Sequence, residues 1–118
     1  MQSFDTEPND IPKPSATAHE LIVGATADLP PGACTTIQLP SGEDVAVYNV
    51  DGEYYAIENS CPHRGAPLSD GTLCGHVIEC ALHGWEFDVR TGDCLTVADT
   101  IKTYPLKIEA GMVRLVLD

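Results

Sequence analysis

The chain is 118 residues long, enough for one compact core and too short for two ordinary domains. Six Lys and Arg stand against eighteen Asp and Glu, and the resulting net charge of −12 repels nucleic-acid phosphates and anionic lipid while suiting a partner with a basic face. The first residues, MQSFDTEPND, form neither a basic nor an apolar leader, and nowhere do about 18 apolar residues follow one another, so a cytoplasmic protein without a membrane span is expected.

Residues 1–18 combine Pro8, Pro12 and Pro14 with Asp, Glu, Asn, Ser and Thr and hold few large apolar side chains, so they bury too little to offset ordering entropy and read as a flexible tail. From His19 the chain changes character. HELIVG, CTTIQL and EDVAVYNV are short runs rich in Val, Ile, Leu and Thr, separated by LPPG and LPSG, and they read as strands. In EDVAVYNVDGEYYAIEN, Asp51-Gly52 sits between two alternating runs and accepts the positive φ angles of a tight hairpin turn. Tyr48, Tyr54 and Tyr55 fall in that pattern as alternating core and surface positions. From about residue 59 to residue 92 the chain is rich in Gly and Pro and keeps no sustained period, so it reads as looped chain inserted into a strand framework. TIKTYPLKIEAGMVRLVLD then repeats the hairpin arrangement around Ala110-Gly111, with Pro105 at an edge or bulge position. No apolar helical stripe extends beyond a turn or two, and the expected class is all-β, an antiparallel β-sandwich or partly open barrel carrying the looped insert.

The insert holds the chemistry. Cys61 and His63 flank one residue, Cys80 and His83 flank two, and sixteen residues lie between His63 and Cys80. Each loop therefore offers one thiolate and one imidazole. Such mixed pairs suit a two-iron, two-sulfide cluster in which both cysteines hold one iron and both histidines the other. A tetrahedral zinc site from the same four residues is the alternative, although zinc sites usually pair like with like and seat their ligands on a hairpin and a helix. His19 and His76 read as surface or internally satisfied side chains, and Cys34, Cys74 and Cys94 as packing thiols with no disulfide spacing.

CPHRGAPLSDG and CALHGWEFDVRTG, at this separation, resemble the two cluster-binding boxes of the Rieske family, and over residues 19–118 the chain is most similar to the soluble Rieske-type ferredoxins of bacterial ring-hydroxylating oxygenase systems. The resemblance implies the Rieske fold, a 2Fe-2S cluster held by Cys61, His63, Cys80 and His83, and electron transfer without a substrate reaction of the chain's own. Its implied partners are a flavin-dependent NAD(P)H reductase and a terminal oxygenase. The small Rieske-like subunit of an NAD(P)H nitrite reductase is the competing role. A terminal oxygenase itself is excluded by length, since only 35 residues follow His83 and none is histidine. Around the cluster, Gly65 and Gly84, with Gly71 and Gly75, let backbone N–H groups approach the sulfurs without a Cβ in the way. Pro67 resembles the proline of a covering loop, and Trp85 is expected to wall the cluster off from water. The disulfide-linked cysteines of the high-potential branch are replaced here by Ala66 and Leu82, and its hydroxyl donors by Trp85 and Phe87. A potential near the low end of the Rieske range, about −150 mV, is therefore expected.

Overall fold

The computed structural model describes residues 19–62, 65–82 and 84–117. The expected N-terminal tail, together with His63 and His83, lies outside them. The described chain contains strands β1 (His19–Ala25), β2 (Cys34–Gln38), β3 (Asp44–Val50), β4 (Glu53–Glu58), β5 (Thr72–Cys74), β6 (Val77–Glu79), β7 (Glu86–Asp88), β8 (Thr103–Tyr104), β9 (Leu106–Glu109) and β10 (Met112–Leu117). They pair antiparallel in three sheets, ordered β1-β10-β9, β2-β3-β4-β8 and β5-β6-β7. Among the described residues no helix is long and apolar enough to cross a membrane.

Both expected hairpins form. Val50 pairs with Glu53 across Asp51 and Gly52, whose φ angles are 53° and 94°. Glu109 pairs with Met112 across Ala110 and Gly111, at 53° and 76°. Two consecutive positive φ angles give a turn whose twist matches that of the strands it joins. Pro105 stands between β8 and β9, where the chain leaves the edge of one sheet for the edge of another. A residue without an N–H belongs there, since no ladder bond is lost.

β3 is buried on both sides. Val45 and Val47 face one apolar core with Leu29, Leu39, Ala56, Val113 and Leu115, which joins the two larger sheets into the sandwich. Ala46, Tyr48 and Val50 face a second core with Ile57, Leu68, Ile78, Phe87 and Ile101, which seats the insert. The alternation expected around Tyr48 is thus between two interiors rather than between core and solvent. Tyr48 is 1% exposed, and burial pushes its phenol well above the ordinary range, the neighbouring Cys34 thiol adding to the effect. The insert also departs from the looped chain expected, because β5, β6 and β7 build a sheet of their own inside it. Strands of three residues place a single side chain each inward, here Leu73, Ile78 and Phe87, and so leave no alternation to read.

Candidate metal centre

The two cysteine loops are closed in the same way. The Cys61 N–H donates to the Ala66 carbonyl at 2.8 Å, and the Cys80 N–H donates to the Trp85 carbonyl at 2.7 Å, each bond spanning five residues. Each loop holds a glycine four residues after its cysteine, Gly65 with φ 72° and Gly84 with φ 70°, in a conformation that costs other residues steric strain. The Gly65 N–H also donates to the Cys61 carbonyl at 2.6 Å. His63 and His83 fall within these two turns of sequence but outside the described residues.

The thiols are almost withdrawn from water. Cys61 is 1% exposed and Cys80 2%, both belong to the core shared with β3, and neither is in a disulfide. Two buried thiols at the bases of matching loops are the sulfur half of the donor set expected from the sequence, whose nitrogen half, His63 and His83, lies outside the described residues. These residues fit a 2Fe-2S group. Among the described residues no three potential ligands come together, as two of the four expected ones are not among them.

The residues expected around the cluster have distinct surroundings. Trp85 is half-buried and packs against the core that contains both cysteines, in keeping with a screening role. Pro67 is exposed and precedes a single 3-10 turn, Leu68–Asp70, in which Leu68 is fully buried and ties the loop down. Gly84 lies beside the Glu79 carboxylate, where a Cβ would stand 3.2 Å from Oε2. A Cβ on Gly71 would overlap the Glu79 carbonyl oxygen, and Gly75 turns the chain between β5 and β6. Among the thiols taken as packing groups, Cys94 lies against the core, whereas Cys34 and Cys74 are exposed.

Sequence reasoning passed over Asn59. This buried residue accepts the Ser69 N–H at 2.8 Å through Oδ1 and donates from Nδ2 to the Ser69 Oγ at 3.1 Å, while its own N–H donates to the Asp44 carbonyl at 2.9 Å. It therefore joins the two ends of the first loop to β3. A second tie reaches the insert from β4, where the Tyr55 and His76 rings meet edge to face at 5.6 Å. Next to it the Val89 N–H donates to the His76 carbonyl at 2.9 Å, and Arg90 chelates the Asp88 carboxylate at 3.1 and 2.9 Å. The Arg90 hydrogen bonds hold the Asp88 carboxyl below the usual carboxylate range.

Comparison with known proteins agrees with this geometry. The ferredoxin component of the naphthalene 1,2-dioxygenase/salicylate 5-hydroxylase systems of Ralstonia sp. is 44% identical over 93 residues, which cover 77% of this chain and 88% of that protein. A solved complex of reduced oxygenase and oxidized ferredoxin in carbazole 1,9a-dioxygenase contains a chain with TM-score 0.77 and 35% identity, over 81% of this chain and 91% of that one. The putative NADH-dependent nitrite reductase small subunit of Mycobacterium tuberculosis superposes with TM-score 0.79 over 86% of this chain and 96% of that one, but at 23% identity the likeness is one of fold alone. A family model, the Rieske [2Fe-2S] domain, matches residues 19–105. With most of its length inside that match and its two cysteine turns folded alike, the chain belongs to the Rieske family, and its cofactor is a 2Fe-2S cluster.

Proposed function

We propose that the protein is a cytoplasmic one-electron carrier, reduced by a flavin-dependent NAD(P)H reductase and oxidised by a terminal oxygenase, with Cys61 and Cys80 on one iron and His63 and His83 on the other. In this reading residues 19–118 form the Rieske domain and residues 1–18 a tail. The cluster, when bound, supplies reversible one-electron chemistry. The chain's own residues hold and shield it. Cys61 and Cys80 present thiolates from closed turns, Trp85 and Phe87 keep water from the sulfur side, and Leu68 and Asn59 fix the first turn to the base.

The observation that carries the assignment is the pair of buried cysteines on identically latched turns, in a chain 44% identical to a dioxygenase ferredoxin. The nitrite reductase role rests on a likeness of fold at 23% identity, and the ferredoxin role is preferred for that reason. Two measurements test the reading. Purified protein should hold two irons and two acid-labile sulfides, lost on Cys61→Ser or His83→Ala substitution. A redox titration should settle near the low end of the Rieske range, about −150 mV. Full zinc occupancy in iron-replete preparations, or a potential well above zero, would contradict it.

A further inference from the structure

Glu79 and Glu86 stand at the two feet of the second cysteine turn. Glu79 ends β6 directly before Cys80, Glu86 begins β7 directly after Trp85, and the two are direct cross-strand partners. The bond from the Cys80 N–H to the Trp85 carbonyl closes the turn beside them. Both glutamates are exposed. Like charges placed opposite each other destabilise a sheet, and a neutral β-branched side chain suits such a position better; Thr72, the next residue in the same row, is one. The pair is therefore a local cost, set where the chain enters and leaves the segment that carries Cys80 and His83.

Glu79 is also aimed. Its Oε2 would stand 3.2 Å from a Cβ on Gly84, so the side chain bends back over its own turn to the residue that directly follows His83 in sequence. The missing side chain of Gly84 leaves room for this carboxylate. The main chain of Glu79 is fixed from three sides, by pairing with Thr72 and Glu86 and by Gly71, which packs against its carbonyl. A carboxylate is thus held beside the turn that bears one proposed sulfur ligand and one proposed nitrogen ligand.

Reduction adds one negative charge to a 2Fe-2S cluster, whose potential depends on the charge around it. A carboxylate held close by disfavours the reduced form, and because it is exposed its reach is set by salt, with a screening length of about 10 Å at 0.1 M. We propose that Glu79, reinforced by Glu86 across the strands, is a positioning residue for electron transfer that sets the midpoint potential: its carboxylate, laid against Gly84, holds the potential down. The inference rests on the proposed ligand set, and it gives the expected low potential an electrostatic cause of its own.

The test is a midpoint titration of the whole loaded protein, followed by visible absorbance at about 0.01 M and about 1 M salt, where the screening length is about 30 Å and about 3 Å. Glu79→Gln keeps the shape and removes the charge. At low salt its equilibrium constant for reduction should rise about threefold, an upward shift of about 28 mV at about 59 mV per tenfold, with the visible spectrum unchanged. Most of that shift should vanish at high salt. Glu86→Gln should move the potential the same way by less. Asp28→Asn, which removes one exposed charge from the base, should leave it in place. A Glu79→Gln shift no larger than that of Asp28→Asn, or one that persists in full at high salt, would overturn the role of the charge. Should Glu79→Gln not take up the cluster, Glu86→Gln decides, and the absence of an upward, salt-sensitive shift there overturns the proposal. Lack of iron and acid-labile sulfide in the unaltered protein would instead overturn the cluster reading, and this inference with it.

Discussion

Asn59 holds the first cysteine turn from behind, and its amide has both a donor and an acceptor committed to Ser69. Asn59→Ala would leave the half-buried Ser69 N–H without its partner, at a cost of about 1–2 kcal/mol. The expected outcome is a lower Tm and faster loss of the cluster's visible absorbance in the presence of a chelator, with little change in the potential. Asp88 behaves differently because its charge matters. Its carboxyl is held below the ordinary range in the folded chain, so the stability it contributes is present above the unfolded pKa, about 3.9, and is lost as pH falls through the lower folded value. Between about pH 5 and pH 3 the Tm should therefore fall more steeply in the parent protein than in Asp88→Asn, and parallel Tm curves would remove the Arg90 pair from the acid response. These two residues also differ from the four proposed ligands in how far they could be read. Cys61, His63, Cys80 and His83 stand out in sequence because metal chemistry demands particular atoms at short spacing. Asn59 does not, because its partner lies ten residues away, and only the folded loop shows that the amide is enclosed.

Among the elements, β3 carries the most structural consequence. VAVYNV is a continuous apolar run broken by one asparagine, and such a run signals burial on both faces as readily as a strand with one wet side. The two type I′ turns were legible because a glycine at the second turn position, Gly52 or Gly111, sits between two alternating runs, although only Asp51 also favours the first position, Ala110 taking its positive φ against its own preference. The small sheet was not, since its strands are too short to show a period and it depends on contacts made after folding. Gly71 is one of these contacts, packed so closely on the β6 backbone that a methyl group would overlap the Glu79 carbonyl oxygen. Its φ of ordinary sign would admit alanine, so the penalty is one of space. Gly71→Ala should cost about 1–3 kcal/mol, measured by chemical unfolding, whereas Gly75→Asn, at a turn that asparagine tolerates, should cost less.

At the scale of the whole molecule, the described residues enclose two interiors divided by one strand, with the base on one side and the cysteine turns on the other. Neither interior can be opened without exposing a face of β3, so both should unfold together. Thermal melts followed by far-ultraviolet circular dichroism and by visible absorbance are expected to coincide, and a visible transition well below the dichroism transition would mean that the insert opens by itself. The fold class was readable at this scale from strand patterning and turn chemistry, but the division into two cores was not, because sequence spacing does not say which side of a strand meets which partner. The shared wall has a further consequence for the life of the protein in its host. A polypeptide whose iron site and scaffold lean on the same plank has no comfortable halfway form in which to wait for metal, so iron scarcity would be felt as shortage of the protein itself, by degradation, rather than as a reserve of empty carriers.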